Sequence, residues 1–218
     1  MAIDDIVNNN NTQKKSFLKR YLNGKDGKRG LLGKIFDYSV AIGATAASYA
    51  IAGPIALVGT GVALVGDYLS NWREGVKTSS ASTRDSAILS AIWTPIGSYF
   101  FNLMDTKINM ATIYGNIARI FTQVVAVPFT LGLGGLMSNY VIRGKQIKGT
   151  WEYTKKYFME NYRDSLKRLS IPRLLALYTL PERLQYPTYI LLGLLHRMGK
   201  VAQRNRDFYG VRYSNSLA

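Results

Sequence analysis

Charged side chains in this chain fall in blocks, and long stretches without any run between them. The clearest stretch is Tyr38–Gly66, bounded by Asp37 and Asp67, which has no charged residue and no polar face. A charge-free run longer than about 18 residues predicts a membrane span, not an amphipathic helix of a soluble protein. Its many Gly and Ala residues suit helices that pack closely in lipid. Gly53-Pro54 lies near its centre. Proline lacks an N–H donor and glycine accepts backbone angles other residues avoid. The pair therefore predicts either a kinked single span or two short arms that turn back. Three further apolar stretches follow: Ser86–Met104 and Ile120–Ile142, both charge-free, and Leu174–Leu195, interrupted by Pro181-Glu182-Arg183 and Pro187.

The segments between them are basic. Residues 1–37 open with an Asn run and continue with Phe17, Leu18, Tyr21 and Leu22 among Lys14, Lys15, Lys19 and Arg20. That stripe predicts a segment lying in the headgroup layer after a disordered start. Residues 38–142 form the expected membrane domain. Residues 143–173 include the aromatic, basic Trp151–Arg173 stretch, expected as an interfacial helix. Residues 174–218 are expected as an interrupted apolar hairpin and a basic tail. Trp72 and Trp151, beside apolar runs, are expected at the interface, where amphipathic rings settle.

Lys and Arg counts choose between topologies. Residues 1–37 hold eight, 67–85 three, 105–119 two, 143–173 nine and 196–218 five. If each charge-free run crossed once, the two most basic segments would fall on opposite sides, against the positive-inside rule. A turn at Gly53-Pro54 returns the chain to the side it left and removes the conflict. The expected fold is therefore all-α: a polytopic protein of the cell or cytoplasmic membrane. It has two full spans, one or two Pro-turned short or re-entrant hairpins, and basic interfacial helices. Both termini are cytoplasmic and 105–119 is outside. The net charge of +15 fits anionic headgroups as partner. Nucleic acid fits the charge too, but not the apolar runs.

Candidate chemistry narrows the classes. There is no Cys, and His196 is the single His, so neither a thiolate nor a His-based metal site is expected. No nucleophile, base and oxyanion donor can be assembled, so neither an enzyme nor a cofactor is expected. A faint repeat relates Trp72 and Arg84-Asp85-Ser86 to Trp151 and Arg163-Asp164-Ser165 at one spacing; internal repeats are common in transporters. The most suggestive stretch is Gly75–Asn102. There Ser and Thr residues lead through Arg84-Asp85 into an apolar run carrying Pro95, Gly97 and Tyr99. Pro95 frees a carbonyl one turn earlier and Gly97 bares backbone beside it, as in the broken helices that hold solutes in transporters.

Arg84, Pro95, Gly97, Tyr99 and the nearby Asp105, followed by Gln123 and Pro128 in the next span, resemble the motif pattern of the L-alanine exporter family of small membrane proteins. Ile96 stands where that family has an aromatic. The resemblance implies export of a small amino acid past this helix. The expected substrate site is Arg84 for a carboxylate, Asp85 for an ammonium, and Pro95, Gly97, Tyr99 and Gln123 along the pathway, with a small zwitterion and further copies of the chain as partners. The alternative from the same apolar and basic pattern is a structural or scaffold protein of a membrane complex or virion-like particle.

Overall fold

The computed structural model describes residues 30–73, 75, 77–144, 147 and 149–194. The basic stripe of Lys14, Lys15, Lys19 and Arg20, and the C-terminal tail with His196, lie outside them. The described residues are helical with no strand. In chain order the helices are α1 (Leu31–Ala52), α2 (Ile55–Arg73), α3 (Ser80–Lys107), α4 (Ile113–Phe121), a π-helical turn (Thr122–Ala126), α5 (Val127–Gly144) and α6 (Thr150–Thr179). A last helix, α7, covers 182–194. Among the described residues three segments are long and apolar enough to cross a membrane: Leu31–Ala52, Ser80–Lys107 and Ile113–Arg143. They mark an integral membrane protein.

The long charge-free run breaks at Gly53-Pro54. Gly53 takes φ +66°, and its N–H donates to the Tyr49 carbonyl at 2.8 Å, which closes α1 before Pro54 starts the next turn. The chain then reverses. Asp37, near the start of α1, accepts from Ser80 Oγ at 2.9 Å and pairs with Arg84 at 2.8 Å. Asp67, near the end of α2, accepts from Ser82 Oγ at 2.5 Å. Both acids thus meet the first turns of α3, and the Gly53 break lies about 20 Å away along either helix.

The later helices alternate in direction. α3 starts with the Ser79 side chain capping Ser82 N–H at 3.1 Å and stays helical through Pro95. Thr112 caps α4 in the same manner, as expected of a hydroxyl at a helix start. At the π turn, Val127 N–H reaches back to Thr122, and the wider turn admits Pro128. Tyr162 donates to the Val125 carbonyl at 3.3 Å. Phe129 meets the Phe158 and Tyr162 rings edge-on, and Tyr140 meets Tyr153, so α6 runs antiparallel along α5. The Trp151–Arg173 stretch expected at the interface is thus part of a longer helix lying beside a candidate span, with Tyr162 level with that span's midpoint. Helix α6 passes through Pro172 without breaking. The reversal falls at Leu180-Pro181, after which α7 carries Gln185 past Arg119 and Leu194 down to Gly66.

The bundle inverts the soluble pattern. Asn71, Thr154, Asp37, Asp85, Ser48, Ser70 and Ser82 are its most completely buried large side chains, while Leu31, Ile42, Ile51, Ile113 and Tyr114 are more than two-thirds exposed. Such an exterior is suited to hydrocarbon and such an interior to polar pairing away from it. One apolar cluster, Phe101, Met104, Val127 and Tyr186, packs near the Gly53 end with Ile55 against it. Helix α6 is the exception on the outside: Glu152, Lys155, Lys156, Glu160, Arg163, Lys167 and Arg168 all face outward.

Candidate functional site

A cavity of about 280 Å³ lies between α2, α3, α5, α6 and α7. Its walls mix apolar side chains such as Leu89, Leu131, Leu136 and Leu169 with Asp67, Ser86, Ser90, Asn139, Asn161, Ser165, Arg143 and Arg173. Small residues make the walls possible. Gly59 faces Thr94 and Gly134 faces Trp93 so closely that a Cβ on either would collide. Gly135 and Gly193 line the cavity with open space before them.

The charged groups come from three helices. Arg143, at the end of α5, donates to Ser86 Oγ at 2.6 Å and Ser82 Oγ at 3.3 Å, and lies 3.6 Å from Asp67. Arg173 on α6 donates to Ser165 Oγ at 3.1 Å and stacks its guanidinium 4.7 Å over the Tyr189 ring, a favourable cation–π arrangement. Trp93 donates its indole N–H to Ser138 at 2.7 Å, and Ser90 pairs with Thr94 at 3.2 Å. The Asn139 side-chain oxygen is buried without a hydrogen-bond partner, which leaves a polar atom able to meet a solute.

Polar networks lie at both ends of the bundle. At the Asp67 end, Arg84 bridges Asp37 and Asp85, at 2.8 and 2.5 Å. At the other end Arg119, 2 % exposed, pairs with Asp105 and donates to Gln185 at 3.2 Å, and Gln123 donates to the same oxygen at 3.3 Å. The amphipathic α4 turns Ile113, Tyr114, Ile117 and Phe121 outward and so brings Arg119 in.

Of the six residues expected at a substrate site, none lines this cavity. Arg84 and Asp85 belong to the ion network at one end, and Gln123 to the network at the other. Pro95 is half-buried on α3 and Tyr99 is 65 % exposed on its outer side. Gly97 is buried under the Tyr186 ring, and the Tyr186 hydroxyl donates to the Thr94 carbonyl at 2.8 Å. Trp72 and Trp151 are largely exposed and fall at the same end of the bundle, at the close of α2 and the opening of α6. The two Arg-Asp-Ser triplets differ in depth: the first lies in the second turn of α3, the second midway along α6. Each triplet's Ser nevertheless lines the cavity and accepts from an Arg.

Asp67, Arg143 and Arg173 were visible only as charges flanking apolar runs. A signal that could have marked Arg143 was Asn139, a polar side chain one turn before it in the same charge-free run. Among the described residues no group of three His, Asp or Glu is placed to hold a metal. No protein-family model, curated protein or solved structure matches the chain.

Proposed function

We propose that this chain is an integral membrane carrier of a small solute bearing a carboxylate, with the interior cavity as its binding site. The observation that carries this reading is the cavity itself: about 280 Å³, below the roughly 300–1,000 Å³ of drug-sized sites, and lined by Arg143 and Arg173. Guanidinium forks match carboxylates. Ionisable groups buried inside a membrane bundle mark solute or ion paths more often than lipid contacts. The polar networks at the two ends supply closures on either side.

In this reading α1 and α2 form a hairpin that enters and leaves from the cytoplasmic side, α3 and the α4–π–α5 segment cross fully, and α6 and α7 turn back at Leu180-Pro181. The basic segments 1–37 and 67–85, the α5–α6 connection and the tail then share the inner side. The N-terminal stripe and the Trp72 and Trp151 rings rest at the inner surface. The charged outer face of α6 is covered by a second copy or lines water shared between copies, since lipid accepts neither Glu160 nor Arg163 at that depth.

Uptake of labelled small solutes into liposomes containing the purified chain tests the proposal. A carrier raises uptake above empty liposomes for a restricted set of carboxylate-bearing solutes, with amino acids among the competitors. A scaffold protein leaves uptake at the empty-liposome level for the whole set.

A further inference from the structure

Helix α6 carries charge on its outer side at a depth where lipid would otherwise meet it. Tyr162 stands level with the middle of the Ile113–Arg143 span, and Glu160 and Arg163, within one turn of it, both face outward. Among the described residues neither has an ion-pair or hydrogen-bond partner, whereas the neighbouring Asp164 and Arg168 pair with each other at 2.7 Å. Positions 156, 160, 163, 167, 171 and 175 are all exposed and recur every three or four residues, so they form one stripe along the helix. The stripe is charged from Lys156 to Lys167 and apolar at Ile171 and Leu175, which are 70 % and 59 % exposed. Hydrocarbon accepts the apolar part but not a lone carboxylate or guanidinium. A cover for the stripe must therefore offer a base near Glu160, an acid near Arg163 and apolar surface toward the Leu180 end, each at its own depth.

A second copy of the chain meets all three demands. Copies inserted in one orientation are related by an axis along the membrane normal, so their α6 helices run parallel and equal residues share a depth. A twofold axis sets the same patch against itself, and every contact occurs twice. Glu160 and Arg163 are three residues apart, about 4.5 Å along the helix axis, an offset that two long side chains bridge. The axis then pairs Glu160 with Arg163 of the partner subunit, and Arg163 with Glu160 of the partner subunit.

We infer that the outer stripe of α6 is a twofold interface between two copies of this chain, held by reciprocal Glu160–Arg163 ion pairs and by Ile171 and Leu175 packing across the axis. The inference rests on the membrane placement given with the carrier reading and not on transport; of the two covers named there, it takes direct contact between copies.

Charge reversal tests the interface. Glu160→Arg sets arginine against arginine across the axis, and Arg163→Glu sets acid against acid. Mixed in one membrane, the two variants restore opposite charges at both crossings. Tagged and untagged full-length chains are co-expressed, extracted in polymer-bounded lipid discs and captured by the tag. The parent should capture itself. Each single variant should capture itself about tenfold less, since like charges set together at an interface are strongly disfavoured. The mixture of the two should return close to the parent's level, and so should the double variant Glu160→Arg/Arg163→Glu with itself. Undiminished self-capture by the single variants overturns the proposed pairing. Loss that neither the mixture nor the double variant restores overturns it too, because a general disturbance of α6 would behave in that way. A parent that never captures itself overturns the two-copy interface, and Met159→Cys in sealed liposomes then separates the causes. Rapid reaction with a water-soluble maleimide would overturn the membrane placement as well. Protection from it would leave that placement standing, with a different membrane protein as the cover. Solute uptake in the same liposomes reports on the carrier reading independently of every one of these results.

Discussion

At the scale of single residues, burial decides what each charge does. Asp67 and Arg143 are 2 % and 5 % exposed, so each needs the other. Removing one partner of such a pair leaves an uncompensated buried charge and costs about 3–5 kcal/mol, whereas removing both can be nearly neutral. Asp67→Asn and Arg143→Met should therefore each lower the thermal midpoint of the detergent-solubilised protein. The double variant should melt above either single one; additive losses would show that the pair is not coupled. Gly97 is a second case. Read along the sequence it looked like exposed backbone in a pathway, but in the fold the Tyr186 ring covers it. Gly97→Leu should displace α7 and destabilise by about 1–3 kcal/mol, as overpacking does; unchanged melting would show that the α7 packing is not tight. The sequence could not show this contact, because Gly97 and Tyr186 are 89 positions apart and nothing local links them.

At the scale of elements, the legible features were those with local causes. The apolar runs became helices, and Gly53-Pro54 ended α1, because a missing donor and a positive φ act within one turn. The register of α6 was not legible. Its composition is basic and aromatic, which suggested an interfacial helix. What places it beside α5 is the Phe129, Phe158 and Tyr162 cluster. The site escaped for a related reason: charges at the ends of apolar runs read as anchors, and only the packing of α2, α5 and α6 brings Asp67 to Arg143 and sets Arg173 on the wall of the same cavity. The alternating helix directions make a sidedness prediction. Lys77→Cys and Ile147→Cys, in the connections before α3 and α6, should label from the cytoplasmic side in sealed membranes. Lys107→Cys and Tyr114→Cys, at the far end of α3 and the start of α4, should label only from the other side. Labelling of all four from one side would contradict two full crossings.

At the scale of the whole molecule the usual distribution is inverted: polar pairs and a cavity inside, apolar side chains outside, and one charged helix face that needs cover. Cover by a second copy predicts that Met159→Cys, on the outer side of α6, forms an intermolecular disulfide in native membranes, while Ile42→Cys on the lipid-facing side of α1 does not. Equal cross-linking at both positions would argue for random collision. The central claim, that the cavity is where solute passes, is tested most directly by filling it. Gly135 lines the cavity with open space in front of it, and replacing a helical glycine raises helix propensity by roughly 0.5–1 kcal/mol. Gly135→Leu should keep the parent's melting temperature and expression while reducing solute uptake in liposomes to the level of empty vesicles. Uptake equal to the parent's, from a variant shown to be folded, would contradict the account.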